Sequence, residues 1–366
     1  MTDDPNAPLL EVEDLSTSFR TDSGRLVAVD GIDFTVEAGE TVCLVGESGS
    51  GKTVASESIT RLPNSPPARI DGSVRFRGVD LFECSDTDLR QYRGNRIAHI
   101  FQNSQLNHCY SVGWQIVEAI RIHEDVSKTA ARARGIDLLE RVGIPNASSR
   151  FDDYPHEFSG GQKQRIMIAM ALAGNPDLLI ADEPTTALDL TVQAQLVRLL
   201  AEIQSEFGMG ILLVTHDLGV VAEIADRVVV MYAGKIMERG DVFDIFERPA
   251  HPYTQALLDC LPERANASGG IPGSLPDPTA RPEGCRFADR CPHTLEACRT
   301  GGQPPELEVE SGHHASCIYY GQGYDVSVVC DGQGESDDCD GQDESDNRDS
   351  TDVSKDRERV SEANKR

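Results

Sequence analysis

Residues 46–53 have the residue types and the spacing of a phosphate-binding loop. They read G-E-S-G-S-G-K-T, which fits the pattern G-x-x-x-x-G-K-[ST]. Glycines let backbone N–H groups turn toward phosphate oxygens, and the positive end of a following helix faces the same anion. A glycine-rich structural turn is the alternative. We predict a nucleotide site built from Gly46, Glu47, Ser48, Gly49, Ser50, Gly51, Lys52 and Thr53, with Lys52 on the β- and γ-phosphates and Thr53 on Mg²⁺.

Two adjacent carboxylates further along the chain suit the same chemistry. Asp182 and Glu183 directly follow the apolar run 178–181, which predicts a buried strand. Asp182 can bind Mg²⁺ directly or through water, and Glu183 can polarise the water that attacks the γ-phosphate. Adjacent acids alone are a weak signal. Behind an apolar strand and downstream of a phosphate loop, they favour a hydrolytic site.

Polar residues also end two other apolar runs. Gln102 closes the segment 96–102, and His216 follows the segment 211–215. A glutamine at a strand end near Mg²⁺ can orient the metal and the attacking water, so the predicted Mg²⁺ set is Thr53, Gln102 and Asp182. His216 is predicted to contact the γ-phosphate. A purely structural role is the alternative for both residues.

A second anion site is predicted at the start of a helix. Ser159, Gly160 and Gly161 precede an apolar helical pattern that stops at residues 174–176. Because residues 46–53 already hold the phosphates of one nucleotide, a second such site indicates a nucleotide sandwiched between this chain and another subunit. Phe19 lies upstream of the phosphate loop. Its ring can either stack on a purine or pack into the core, and the sequence leaves these two alternatives even.

The elements that position these residues predict an α/β fold. Apolar runs that end in polar residues indicate the strands of a P-loop core sheet, and mixed runs before the loop indicate an antiparallel β subdomain. A helical pattern from Val112 to Val142 predicts a helical subdomain inserted at about 103–160. Further expectations concern local elements: a half-exposed strand over 9–19, two strand pieces in 26–36 with a turn at Asp30 and Gly31, and a hairpin over 227–239 that turns at Ala233 and Gly234.

Length and composition set outer limits. The 366 residues suffice for one large domain or two, and a hydrophobic content of 39% can form a sizeable core. The longest apolar runs fall far short of the roughly 20 residues that a transmembrane helix needs. The N-terminus is acidic and lacks an apolar signal region. We therefore expect a protein that has no transmembrane segment and stays in the cytoplasm.

The charge balance is strongly acidic. The formal net charge is −27, and only 6 of the 34 basic residues are lysine. This balance favours a salt-rich host, where screening weakens self-repulsion, over a merely acidic protein with an acidic tail. It also argues against nucleic acid as the main partner. Residues 321–366 hold 14 acidic and 6 basic residues and few apolar ones, so they predict a disordered acidic tail.

Four of the ten cysteines lie close together in the sequence. Cys285, Cys291, Cys298 and Cys317 have the spacing C-x5-C-x6-C-x18-C, which differs from the C-x2-C pairs of common zinc modules. In a cytoplasmic protein such a group favours a metal site over disulfides. Four thiolates can hold zinc or an iron–sulfur cluster, with His313 and His314 as substitute ligands. Four buried, unliganded thiols are the remaining alternative.

The segment F-S-G-G-Q at 158–162, beside the other motifs, resembles the signature of ATP-binding cassette transporter ATPases. The resemblance covers residues 9–320, although Phe158 stands where leucine is usual. It implies that Phe19 stacks on adenine and that Gln102, Asp189 and His216 are the Q-loop, D-loop and switch residues. It also implies a head-to-tail dimer in which ATP held by one subunit meets the signature of the other, namely Ser159, Gly160, Gly161 and Gln162.

Other segments resemble the ATPases of dipeptide and oligopeptide importers. They are Y-P-H-E-F-S at 154–159, H-P-Y-T-Q-A-L at 251–257, G-C-R-F at 284–287 and R-C-P at 290–292. This resemblance implies an ATPase domain over 9–250, a C-terminal domain over 251–320 and a [4Fe–4S] cluster there. It implies a place on the cytoplasmic face of the membrane. The implied partners are two integral membrane permeases, an extracellular substrate-binding protein and a second ATPase subunit, which is a related paralogue or an identical copy.

Alternatives to this interpretation stay open. The cargo could be nickel or another small solute, because nothing in this chain contacts cargo. A non-transport cassette ATPase acting on nucleic acid is disfavoured by the charge and by the single cassette without a coiled-coil insert. A catalytically dead cassette is disfavoured because Lys52, Asp182, Glu183 and His216 are all present. The segment after Gln102 is shorter than in the resembled importers, which leaves the coupling to permeases open.

Overall fold

The computed structural model describes residues 7–22, 24–63, 66–102, 106–186, 188–261 and 270–330. Two features predicted from the sequence fall partly outside these ranges: the shortened segment after Gln102, at 103–105, and the acidic tail, from residue 331. The strands in this part of the chain are β1 (Leu10–Thr21), β2 (Gly24–Val36), β3 (Thr41–Val45), β4 (Ala68–Phe76), β5 (Val79–Asp80), β6 (Ile97–Ile100), β7 (Leu178–Asp182), β8 (Gly210–Thr215), β9 (Arg227–Tyr232), β10 (Lys235–Asp241), β11 (Leu307–Glu310) and β12 (His313–Ala315).

The strands form two sheets. The smaller sheet has the order β2-β1-β4-β5, and its strands pair antiparallel. The larger sheet has the order β11-β12-β10-β9-β3-β8-β7-β6. Its central strands β9, β3, β8, β7 and β6 pair parallel, whereas β10, β12 and β11 extend one edge with antiparallel pairs.

Burial on both faces explains why the central strands are almost continuously apolar. Every residue of β3, β7 and β8 is buried, and parallel strands covered on both faces need no alternating polar positions. The strand β2 differs from the prediction of two pieces with a turn at Asp30 and Gly31. It continues through both residues, because shifts in its register with β1 and a left-handed Gly31, at φ 63°, absorb the irregularity.

Capping residues fix the helix starts near the large sheet. Ser111, Ser127 and Asp217 each accept a backbone N–H in the first turn of the helix that follows. The helices are α1 (Lys52–Ile59), α2 (Asp86–Tyr92), α3 (Val112–His123), α4 (Lys128–Arg141), α5 (Ala147–Arg150), α6 (Gly160–Ala171), α7 (Leu190–Phe207), α8 (Leu218–Ile224), α9 (Val242–Glu247), α10 (Pro252–Asp259), α11 (Glu296–Thr300) and α12 (Ser327–Cys330).

The helices α3, α4 and α5 lie between β6 and β7 in the chain. Their packing depends on a small residue, because a Cβ at Gly113 would lie 2.0 Å from Cδ1 of Phe151. Apolar side chains of these helices, such as Ile116 and Leu139, join the same buried cluster as Ala181 of β7. These helices therefore share one buried core with the strand that carries Asp182.

The C-terminal region continues the large sheet. β12 pairs with β10 through Glu238 opposite Ala315 and Arg239 opposite His314. The predicted tail boundary at 321 is wrong for its first residues. Helix α12 lies beyond that boundary, and Val329 is buried against Cys317 and Tyr319. The sequence suggested disorder because the acidic stretch that follows dominates its composition.

A buried carboxylate joins this region to the sheet. The fully buried Glu238 of β10 accepts the backbone N–H groups of Ala250 at 2.7 Å and His251 at 2.8 Å. Its Oε1 also lies 2.8 Å from Nε2 of the buried His313. All three contacts lie outside water, so each loses its partner if the carboxylate is removed.

We predict that Glu238→Leu strongly destabilises the protein. Removing one partner of a buried hydrogen-bonded pair typically costs about 3–5 kcal/mol of unfolding free energy. Urea unfolding followed by circular dichroism will measure the loss. The matched control is Glu310→Leu, because Glu310 forms a half-exposed ion pair with Arg248 worth about 1 kcal/mol or less. Equal losses for the two variants would contradict the role assigned to Glu238.

Candidate nucleotide and hydrolysis site

The phosphate-binding loop connects the buried end of β3 to the start of α1. Two of its glycines are required by close backbone contacts: a Cβ at Gly46 would lie 2.1 Å from the Met231 carbonyl oxygen, and one at Gly51 would lie 2.2 Å from that of Ala28. Both have positive φ angles, 150° and 102°. The loop is therefore pressed against β9 and β2 at these two glycines.

Lys52 lies folded back on the loop that precedes it. Its Nζ donates to the carbonyl oxygens of Gly46 at 2.7 Å and Glu47 at 2.9 Å, and the residue is 5% exposed. Burial lowers the pKa of Lys52, while the negative charges of Glu183 and Asp182 oppose that shift. A triphosphate would offer this ammonium group stronger acceptors than two carbonyls.

Asp182 at the end of β7 has an atom suited to a cation. Its Oδ1 is buried and has no hydrogen-bond partner among the described residues, and its side chain is hydrogen-bonded to Thr53. Burial raises the pKa of Asp182, and the nearby Glu183 charge raises it further. A buried carboxylate oxygen without a partner, next to the Thr53 hydroxyl, has the donor chemistry that Mg²⁺ prefers. The two residues therefore fit the predicted ion.

Glu183 is held by three side chains that converge on its carboxylate. Nε2 of Gln102 and Oγ1 of Thr186 donate to its Oε2 at 2.8 and 2.9 Å, and Nδ1 of His216 lies 2.9 Å from its Oε1. The residue has a left-handed backbone, with φ 46°, and its N–H donates to the Val214 carbonyl. These contacts fix the carboxylate just beyond the strand end.

The surroundings of Glu183 keep it ionised. Burial alone would raise its pKa, but hydrogen bonds from His216, Thr186 and Gln102 outweigh it, and the pKa is lower than in a free glutamate. The carboxylate therefore remains available as a base as the pH falls. Its contribution to folding stability is present above the unfolded pKa and is lost as pH falls through the lowered folded pKa.

The signature residues lie at the exposed start of α6. Ser159 and Gln162 form a capping box, in which Gln162 N–H donates to Ser159 Oγ and Ser159 N–H donates to Gln162 Oε1. Gly161 has no room for a side chain, because a Cβ would lie 2.5 Å from Cγ1 of Val192. Phe158 is buried beneath the guanidinium of Arg150, 4.0 Å from its ring centre. Within the described part of this chain, no hydrogen bond joins Ser159, Gly160, Gly161 or Gln162 to residues 46–53.

Two other predicted site residues occupy edge positions. Asp189 caps α7, where its Oδ1 accepts the Val192 N–H at 3.0 Å, and the next residue, Leu190, is 83% exposed. Phe19 is half-buried on β1, opposite Leu26 of β2 and Ala68 of β4. It lies outside the fully buried core, so its ring is partly accessible.

The four clustered cysteines line one small cavity. Burial raises the pKa of the Cys285 and Cys291 thiols to about 11 and that of Cys317 to about 12, and the thiols reinforce one another's shifts. No group of three or more ligand-type side chains among the described residues is arranged around a single metal ion. The cavity lining is formed by His251, Pro252, Cys285, Phe287, Ala288, Cys291, Cys298, Pro304, Cys317, Ile318 and Tyr319.

The proposed histidine substitutes lie elsewhere. His313 is bound to Glu238, and neither His313 nor His314 lines the cysteine cavity. The histidine that does line it is His251, whose Nδ1 accepts the Tyr253 N–H at 3.0 Å. His313 and His314 were predicted as substitute ligands because they lie near Cys317 in the sequence. In the fold, β12 directs His313 toward Glu238 of β10.

Sequence reasoning missed two residues that contact the site. Thr186 could have been found from its position three residues after Glu183, a spacing at which a hydroxyl can bond back to a preceding side chain. Arg290 donates to both carboxylate oxygens of Glu47, at 2.6 and 3.0 Å. No local pattern indicated this pair, because 243 residues separate its members.

The fold and the site together define a P-loop nucleotide hydrolase of the ATP-binding cassette class. Residues 29–186 match the family model described as ABC transporter, and residues 237–298 match the one described as oligopeptide/dipeptide transporter, C-terminal region. A protein of Brucella abortus (strain 2308) named for peptide import and ATP binding is 49% identical over 321 residues, covering 83% of this chain and 97% of that protein. A second, similarly named Brucella abortus protein is 49% identical over 328 residues, covering 85% of this chain and 97% of its own length.

Two solved structures have the same fold. The post-hydrolysis dimer of the ATP-binding cassette MJ0796 bound to ADP and Pi has a TM-score of 0.58 at 24% identity, covering 64% of this chain and 98% of that chain. The cbiO1 structure from Clostridium perfringens, part of the ABC transporter complex cbiONQ, has a TM-score of 0.56 at 29% identity, covering 66% and 91%. The chain belongs to the ABC transporter family, as an ATP-binding subunit.

Across the described ranges, no helix is long and apolar enough to cross a membrane.

We predict that Thr186→Val shifts the acid limb of the ATPase pH profile to higher pH. The hydroxyl stabilises the ionised form of Glu183, so its loss raises the pKa of the base, and the rate starts to fall at a higher pH than in the wild type. The profile of kcat against pH measures the shift. Thr186→Ser retains the hydroxyl and serves as control. An unmoved acid limb in Thr186→Val would contradict this role.

Proposed function

We propose that this chain is the ATP-hydrolysing subunit of a peptide importer, with Glu183 as the base. The observation that carries the hydrolysis assignment is the convergence of Gln102, Thr186 and His216 on one ionised carboxylate beyond β7. The peptide cargo is supported by the match of residues 237–298 and by the names of the Brucella relatives. Dipeptides and oligopeptides are the proposed substrates.

The residues divide the hydrolytic chemistry among them. The triphosphate is bound by residues 46–53, and in particular by Lys52. The residues that would hold Mg²⁺ are Thr53, Asp182 and Gln102. When bound, Mg²⁺ neutralises charge on the β- and γ-phosphates. Glu183 accepts the proton of the attacking water, because its carboxylate is ionised and lies beside Gln102. His216 orients that carboxylate and faces the site of the γ-phosphate. Phe19, with its partly accessible ring, is the proposed adenine contact.

A second ATPase subunit would complete the site. Ser159, Gly160, Gly161 and Gln162 are proposed to bind ATP held by the opposite subunit, since within the described ranges they form no hydrogen bond to the phosphate loop of their own chain. The exposed Leu190 next to Asp189 is consistent with a covered position in such a dimer. A related paralogue is the proposed partner, with an identical copy as the alternative.

Membrane permeases are the proposed partners of the helical insertion. Exposed apolar and aromatic side chains lie together on and before α3: Tyr110 is 44% exposed, Trp114 39% and Ile122 72%. The Tyr110 and Trp114 rings stack with centres 4.0 Å apart. This face follows Gln102 closely in the sequence. A permease docked on it would therefore lie close in the chain to a residue proposed to contact Mg²⁺ beside the nucleotide. The chain would sit peripherally on the cytoplasmic face, with an extracellular binding protein delivering cargo.

We propose that the domain limits are 9–250 for the ATPase, including a helical subdomain at about 103–160, and 251–320 for the C-terminal region. The expected acidic tail, 321–366, lies outside the described residues from residue 331 onward. A salt-rich host remains a prediction from the net charge of −27, and the Brucella relatives lend it no support. The same charge argues against the rival role of a nucleic-acid ATPase. Nickel or another small solute is the alternative cargo.

An iron–sulfur cluster is the proposed occupant of the cysteine cavity. Cys285, Cys291, Cys298 and Cys317 supply the four thiolates that a [4Fe–4S] cluster takes. A single zinc ion needs sulfur atoms converging to about 2.3 Å from one point. Among the described residues no group of three or more ligand-type side chains is placed to hold a metal ion, so the proposal rests on the number of thiols around the cavity. The cluster would cross-link α11, the 285–291 turn and Cys317.

We predict that Glu183→Gln abolishes peptide uptake. The amide cannot accept a proton, so hydrolysis should fall by about two to four orders of magnitude while ATP binding is retained. Uptake of a labelled tripeptide in host cells, together with ATP binding by the purified subunit, measures both. Glu202→Gln, on the far part of α7, serves as control. Unchanged uptake in Glu183→Gln cells would reject the peptide cargo, and nickel uptake would be measured next.

We predict that anaerobically purified protein is brown, absorbs broadly in the visible range and contains iron and sulfide. Cys298→Ser should remove most of the colour, because one of the four thiolates is lost. Cys109→Ser is the matched control, since Cys109 is exposed and lies apart from the cavity. Colourless protein that contains zinc, or neither metal, would reject the cluster.

A further inference from the structure

The phosphate-binding loop is held from outside by two residues of the C-terminal region. The N–H of Glu47 donates to Oη of Tyr253 at 2.9 Å. The two Nη atoms of Arg290 donate to the two carboxylate oxygens of Glu47, at 2.6 and 3.0 Å. One loop residue is thus fixed at both its backbone and its side chain by residues more than 200 positions away in the sequence.

Arg290 is itself fixed in place. Its side chain is 4% exposed and also donates to the carbonyl oxygens of Ile271 and Pro272 and to Oη of Tyr232. Its guanidinium lies 5.6 Å from the ring centre of Tyr232. The bond to Glu47 raises the pKa of Arg290 above its ordinary value. Arg290 is therefore a buried, permanently charged donor, and the one carboxylate that it binds in a bidentate contact is that of Glu47.

The negative charge of Glu47 explains why its ion pair with Arg290 matters for phosphate binding. Glu47 is the second residue of a loop that must bind a triphosphate with several negative charges, and its charge acts on Lys52 of the same loop. An unpaired carboxylate at this position would repel the phosphates. The ion pair neutralises the carboxylate and turns it toward the C-terminal region, while the Glu47 carbonyl remains on Lys52 at 2.9 Å.

We propose that Arg290 is a positioning residue for ATP binding that acts through Glu47. It neutralises and restrains the carboxylate of the phosphate loop without touching the nucleotide. This inference rests on the proposed assignment of residues 46–53 as the phosphate site. It extends that assignment, because it makes the affinity for ATP depend on the C-terminal region.

The test is a rescue experiment on the full-length protein. The dissociation constant for the non-hydrolysable analogue AMP-PNP with Mg²⁺ is measured for wild type, Arg290→Gln, Glu47→Gln and the double variant. We expect Arg290→Gln to bind about tenfold more weakly at low salt, because it leaves Glu47 charged and unpaired. Glu47→Gln in the same chain should restore affinity to within about threefold of wild type, because it removes the repelling charge. The loss in Arg290→Gln should shrink as salt is added.

The kinetic readout separates positioning from a role in the chemical step. Arg290→Gln should raise KM for ATP by a similar factor and leave kcat within about twofold, as expected when only ground-state binding is lost. Arg286→Gln is the matched control. Arg286 is as buried and lies on the same turn, but it binds Asp30 and the Ala233 carbonyl rather than the loop. Any loss in Arg286→Gln should not be rescued by Glu47→Gln.

Three results would overturn the inference: wild-type affinity in Arg290→Gln, a double variant no better than Arg290→Gln, or a fall in kcat without a change in KM. If Arg290→Gln does not fold, Arg290→Lys keeps the charge but loses the bidentate contact, and the same rescue is expected of its smaller defect. Lys52→Ala tests the underlying site. Normal AMP-PNP binding by Lys52→Ala would reject residues 46–53 as the phosphate site. If Lys52→Ala loses binding and Arg290→Gln binds like wild type, only the role of Arg290 is rejected.

Discussion

The parallel register of β3, β8 and β7 brings the phosphate loop, the paired acids and His216 to one edge of the large sheet. Val45, the last residue before the phosphate loop, pairs with Thr215, the last residue before His216. Asp182 pairs with Val214, and the Glu183 N–H donates to the carbonyl of the same residue. The carboxyl ends of parallel strands meet at one sheet edge, so loop, acids and histidine arrive together. A one-residue slip of β7 would exchange the directions of Asp182 and Glu183.

Three carboxylates lie at the site, and each has a different partner. Asp182 carries a buried oxygen that suits a cation, Glu183 is held ionised by Gln102, Thr186 and His216, and Glu47 is paired with Arg290. Three carboxylates near one triphosphate would otherwise repel it and each other. Each has a different kind of partner, although the charge of Glu183 still raises the pKa of Asp182. This division explains how a protein of net charge −27 can bind a polyanion.

Local motifs made most of the site predictable. The phosphate loop, the paired acids and the residues that end β6 and β8 were identified because each motif is contiguous and its neighbours set its secondary structure. The contacts that required a folded chain were not predictable. Glu238 meets His313 over 75 residues, and Glu47 meets Arg290 over 243. Nearness to Cys317 in the sequence misled the choice of His313 as a substitute ligand, and acidic composition misled the tail boundary.

The pairing of β12 with β10 has a consequence for protein engineering. A cassette cut after Ala250 would leave β10 as a bare edge strand and would strip Glu238 of His313 and His251 at once. Such an edge presents unpaired N–H and C=O groups to any other strand in solution. A graft of the C-terminal region of one related ATPase onto another would therefore have to include β10. The recipient would also need a residue 47 that can pair with Arg290 of the graft. A graft that begins before β10 keeps Glu238 and His313 in the sequence of one parent.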